Sequence, residues 1–111
     1  MIDVLTTEGY FGIWEGIAPS SVYDYELGAE FDDKGFVRVI ENRTSFETGA
    51  TEVFLGQGVY TTTDGTLDSF TAWEDNGSRF HTYLATTTSD GVLTLGGMFD
   101  VVYPMKKLSG S

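Results

Sequence analysis

His81 is the single histidine of the chain, so any imidazole acting as a general acid or base near neutral pH must be this one. Arg79 and Tyr83 share its parity, since side chains two apart on an extended segment project to the same face. A guanidinium, an imidazole and a phenol converging on one pocket could hold an enolate or carboxylate and move a proton. That is the chemistry of a cofactor-independent isomerase, cyclase or decarboxylase. His81, Tyr83 and Arg79 are therefore the candidate catalytic residues. The plain reading sets the same triplet toward solvent and turns Phe80, Thr82 and Leu84 inward.

A second set of residues suits binding rather than turnover. Trp14, Tyr23, Tyr25, Phe70 and Trp73 offer broad apolar surfaces, several with a polar handle. Arg38, between apolar neighbours, could anchor an acidic group. Together they are the candidate ligand-binding residues for a small hydrophobic or amphipathic molecule. Asp24 and Glu26 form a carboxylate pair facing the same way, which can run glycoside chemistry when the two environments differ, but their strand has a cleaner apolar face, which sets the acids toward solvent. Glu30, Asp32 and Asp33 lack the spacing of a calcium loop. One histidine and no cysteine leave no protein-built zinc site. A Gly-X-Ser-X-Gly elbow, a phosphate-binding loop and a dinucleotide fingerprint do not occur, and Gly56-Gln-Gly58 lies inside a β pattern. No cofactor and no metal are expected.

The chain has 111 residues, long enough for one core, and residues 1–108 read as one domain with a flexible tail at 109–111. Six Lys and Arg against 17 Asp and Glu give a net charge of −11. Such a field repels phosphate backbones and argues against nucleic acid as a partner. No apolar run reaches the length of a membrane-spanning helix, so no membrane insertion is expected. The lack of a leader pattern after Met1 favours the cytoplasm and leaves a processed secreted form open.

The elements that must position these residues are strands. Asp64-Gly65, Asn76-Gly77 and Asp90-Gly91 are hairpin signals, because tight type I′ turns need positive φ at both central residues. Two of them sit in nearly the same phrase, Thr61-Thr-Thr-Asp-Gly65 and Thr87-Thr-Ser-Asp-Gly91. Eight strands are expected: Tyr10 to Glu15, Val22 to Phe31, Phe36 to Glu41, Glu52 to Thr62, Thr66 to Glu74, Ser78 to Thr86, Gly91 to Gly96 and Met98 to Met105. In the second, Tyr23, Tyr25, Leu27, Ala29 and Phe31 oppose Asp24, Glu26 and Glu30, a period of two. In the third, Phe36, Arg38 and Ile40 oppose Val37, Val39 and Glu41, so both faces are substantially apolar. Glu41 to Thr44 reads as a connection anchored by Phe46. Gly56 and Gly58 share one face of the fourth strand, which sharp barrel curvature, a bulge or the close approach of a ligand would each use, curvature first among the three. The fold class is all-β, a small antiparallel meander closing into a barrel of about eight strands, which hides its edges.

Gly12-Ile13-Trp14 in the first strand, with Lys106-Lys107 after the last, resembles the calycin arrangement of lipocalins and their relatives. The resemblance implies that Trp14 plugs one end of the barrel beneath Lys106 or Lys107. The chain departs from that family in being short and in lacking a long first loop, disulfides and a terminal helix. Three functions fit this reading. The first is a ligand-binding barrel, the second an enzyme working in the lumen, and the third a packed structural domain whose apolar outer face makes a homodimer.

Overall fold

A computed structural model describes residues 12–109. The first two residues of the expected opening strand and residues 110 and 111 of the expected tail lie outside the described residues. The elements are β1 (Gly12–Ala18), β2 (Tyr23–Phe31), β3 (Phe36–Ser45), β4 (Thr51–Val59), β5 (Thr62–Thr63), β6 (Thr66–Leu67), β7 (Phe70–Trp73), β8 (Phe80–Tyr83), β9 (Ala85–Thr87), β10 (Leu93–Gly96) and β11 (Val102–Ser109). Every pairing is antiparallel, and nine of the strands form one sheet in the order β8-β7-β4-β3-β2-β1-β11-β10-β9. The sheet's two edge strands, β8 and β9, are neighbours in the chain, separated by Leu84 alone. The sheet therefore curls into a nearly closed barrel. Its seam is bridged where Gly96 N–H donates to the Leu84 carbonyl (3.0 Å). Among the described residues there is no helix, hence none long and apolar enough to cross a membrane.

Period-two patterning decides which faces are buried. Tyr25, Leu27, Ala29 and Phe31 of β2 point into the barrel, as do Val37, Val39 and Glu41 of β3. Ala18 of β1, Phe54 of β4, Tyr60 just after it, Leu67 of β6, Phe70 and Ala72 of β7, Tyr83 of β8, Leu93 and Leu95 of β10, and Tyr103 and Met105 of β11 complete the core. Tyr60 and Phe70 meet the Phe31 ring edge-on at 5.0 and 5.8 Å, and Tyr83 stacks on Phe70 at 5.4 Å. Such tilted and offset contacts suit the ring quadrupoles.

Several details depart from the sequence expectation. Asn42, Arg43 and Thr44 are strand rather than connection, because they pair with Glu26, Tyr25 and Asp24 on one side and Val53, Glu52 and Thr51 on the other. Phe46 is exposed and anchors nothing. The expected strand from Thr66 splits, its first two residues pairing back on β5 in a separate hairpin. The two similar phrases make different turns. Asp64 and Gly65 both have positive φ (51° and 82°), whereas at Asn76-Gly77 and Asp90-Gly91 only the glycine does. There Gly77 N–H returns to the Glu74 carbonyl and Gly91 N–H to Thr88, as in type I turns that end on a left-handed glycine. Met98 to Val101 leaves the expected last strand and forms a loop, with Asp100 at φ 61°.

Candidate functional site

Glu41 is the last inward-pointing position of the apolar run Val37, Val39, Glu41 and is fully buried. Tyr83 from β8 donates its hydroxyl to Glu41 Oε1 at 2.8 Å, and Tyr103 from β11 donates to Oε2 at 2.9 Å. The Met98 amide, in the loop after β10, donates to both oxygens at 2.9 and 3.0 Å. Every partner is a donor, the pattern that an ionised carboxylate accepts. No Lys or Arg forms an ion pair with Glu41 among the described residues. A carboxylate taken out of water costs several kcal/mol unless hydrogen bonds replace its hydration, and here two phenols and one amide do so. Gly97 makes room: a Cβ there would lie 2.4 Å from Glu41 Oε2 and 2.4 Å from the Tyr103 ring.

Burial, and then the neighbouring Glu41 carboxylate, push the phenols of Tyr83 and Tyr103 far above the ordinary range. Below pH 10, roughly the ordinary phenol value, folded and unfolded chains both keep these protons and the cluster contributes in full. Above it the unfolded chain releases them while the folded chain cannot, so stability falls as pH rises, by up to about 1.4 kcal/mol per phenol per pH unit. Urea midpoints taken from about pH 8 to about pH 11 should fall in this way. The Tyr83→Phe, Tyr103→Phe double variant should show a shallower decline, and an equal slope would rule the cluster out as its source.

His81 sits beside this cluster. Its ring meets Tyr83 edge-on at 4.5 Å, and Nε2 lies 2.9 Å from the Gly96 carbonyl oxygen. A carbonyl can only accept, so Nε2 carries the proton and the imidazole fastens β8 to β10 at the barrel seam. Arg79 is farther out, at the rim. It pairs with Glu74 (2.6 Å), donates to the Val53 carbonyl (3.0 Å) and lies 5.6 Å from the centre of the Phe54 ring. The hydrogen bond from Arg79 holds the Glu74 carboxyl below its usual range. Tyr83 is thus in the interior, His81 half-buried next to it, and Arg79 exposed on a different set of partners.

The expected ligand-binding residues divide between the two sides of the wall. Tyr25 and Phe70 are buried in the core, with Tyr23 and Trp14 partly buried against it. Trp14 faces Lys107 across the β1–β11 ladder, which puts the expected end-plug and one of its basic partners side by side in register. Arg38 stands on the outer face, ion-paired with Glu30. Trp73 is also outside, stacked on Phe80 at 4.4 Å. Asp32 is committed to its turn, accepting from the Lys34 and Phe36 amides. Among the described residues no three His, Asp or Glu side chains come together to hold a metal ion.

Around Glu41 lies an aromatic end of the barrel. The Arg43 guanidinium is 4.6 Å from the centres of both the Tyr23 and Phe99 rings and bonds to Glu52 at 2.7 Å. Tyr25 contacts Tyr23 at 5.6 Å and Phe99 at 6.5 Å. Glu41, Tyr103 and the Met98 amide are the site members that residue-by-residue reading passed over. The signal was an acid on the apolar parity of β3, where an exposed carboxylate has no place. No family model, curated protein or solved structure matches this chain.

Proposed function

We propose that the chain is a calycin-like binding protein for a small amphipathic molecule that brings a hydrogen-bond donor to Glu41 and an apolar body to the surrounding rings. The observation that carries this reading is a fully buried carboxylate in an otherwise apolar and aromatic barrel interior. Met98 and Phe99 stand where such a molecule would sit. The Met98 amide supplies a donor to Glu41, and Phe99 supplies a ring beside Tyr25 and Arg43. A ligand with a hydroxyl or amine on an aromatic or aliphatic body replaces both contacts as the loop at 97–101 moves aside. An anionic head group is disfavoured, because it would approach the Glu41 carboxylate while Arg43, the cation beside Phe99, is already bonded to Glu52.

The test is a screen of matched amphiphiles that share one body and differ in head group, read by tryptophan fluorescence and calorimetry. An amine or alcohol should bind, its carboxylate counterpart should not, and Tyr25→Ala should weaken binding about tenfold through lost contact area. Equal affinity for the amine and the carboxylate, or no binding by any member, would overturn the reading. The contact of His81 with Tyr83 favours a second reading, in which the bound molecule is also a substrate for proton transfer. His81→Gln should then keep binding and abolish turnover, because an amide cannot exchange a proton near neutral pH.

A further inference from the structure

The outer wall of β1–β4 carries a feature independent of the interior. Three depressions lie on it and share residues, so they run together as one trough. One, of about 510 Å³, is bounded by Phe36 and Val59. It joins the next, of about 520 Å³, through Glu30, Arg38 and Gln57. That one joins the third through Ile13, Gly28 and Ile40. The trough follows β3 from Phe36 to Asn42, a span of about 20 Å at ~3.3 Å per residue. Its floor is apolar and open to solvent, with Ile40 45% and Leu55 57% exposed and paired across the β3–β4 ladder. Gly28, opposite Ile40 on β2, supplies the notch.

We propose that this trough seats a basic amphipathic helix of a partner protein. Charge selects the partner's sign. Among the described residues five carboxylates line the trough, from Glu15, Glu26, Glu30, Asp32 and Asp75, against the one guanidinium of Arg38, which Glu30 already occupies. Lys106, opposite Glu15 on β11, is the neighbouring cation at one margin. A second copy of the chain is disfavoured, since each carries −11 and would set one acidic trough against another. The backbone selects a helix. β2 and β3 are paired on both sides, so an incoming strand finds no free ladder and would leave its own amides unsatisfied. A helix satisfies its own backbone and offers an apolar stripe to Ile13, Ile40 and Leu55.

The experiment titrates the whole chain with a synthetic Leu/Lys peptide of helical periodicity. A length of about 14 residues spans the trough at ~1.5 Å per residue. A same-composition scramble and a Leu/Glu counterpart serve as controls, with tryptophan fluorescence and calorimetry as readouts. Ile40→Asp and Leu55→Asp place charges on outward positions and are checked for an unchanged fold by circular dichroism. The periodic Leu/Lys peptide should bind, and the scramble, the Leu/Glu peptide and both Asp variants should each weaken binding about tenfold or more. Added carboxylates would strengthen mere charge attraction. Equal or tighter binding by Ile40→Asp therefore overturns the proposal, as does equal binding of the scramble. A concentration-dependent dimer in sedimentation that Ile40→Asp dissolves would assign the trough to a second copy and overturn it as well.

Discussion

Glu41→Ala should cost about 3–5 kcal/mol of stability, read as a lower urea midpoint. The substitution removes the only acceptor that the Tyr83 and Tyr103 hydroxyls and the Met98 amide share. A buried donor left without a partner costs about 1–3 kcal/mol, and these three stand in one network, so their losses overlap rather than sum. Glu41→Gln should fall between, since the amide keeps one acceptor oxygen but turns an NH2 toward a donor. Glu30→Ala is the comparison. Its carboxylate pairs with Arg38 on the exposed wall, where ion pairs are worth about 0–1 kcal/mol. If Glu41→Ala lost no more than Glu30→Ala, the interior cluster would not be holding the barrel together.

Gly58→Ala is expected to destabilise the barrel by about 3 kcal/mol, at the upper end of the overpacking range. A Cβ on Gly58 would lie 2.1 Å from the carbonyl oxygen of Thr71, a backbone atom that cannot rotate aside. β7 would have to lift from β4, and the two strands are joined in register only at Gln57 and Trp73. β7 also carries β8, so the displacement reaches the seam that His81 and Gly96 fasten. Gly28→Ala offers the contrast. Its Cβ would come within 3.2 Å of one Ile40 methyl on the open outer face, where that side chain can turn, so a loss of about 1 kcal/mol or less is expected. Unfolding of the two variants side by side decides whether glycine at 58 serves close strand approach.

The amino-acid pattern alone determined the all-β class, the antiparallel meander and the inner face of the second strand, whereas on the stretch from Phe80 to Leu84 it is Tyr83 that turns inward and Phe80, Thr82 and Leu84 that face out. The physical reason is local: a pleated strand with one face in water must alternate, as Tyr23 to Phe31 does, and a turn that needs positive φ selects Gly beside Asp. Patterning also placed Phe54, Gly56 and Gly58 on one face of the fourth strand, leaving only the purpose of the glycines to be found. Other features were decided in three dimensions. Asn42 to Thr44 looked like a connection because its residues are polar, yet neighbours on both sides hold it as strand. Leu84 divides one expected strand in two because β8 pairs with β7 whereas β9 pairs with β10. Arg38 and Trp73 drew notice for their chemistry, but their parity sets them on the outer wall, where Glu30 and Phe80 engage them. Glu41 shows the division most sharply. Its place on the parity of Val37 and Val39 was written in the sequence, but a buried carboxylate is tolerable only when donors surround it. Those donors come from Tyr83, Met98 and Tyr103, which are 42, 57 and 62 positions away along the chain. Closing the barrel brings them together, and no local pattern encodes that meeting.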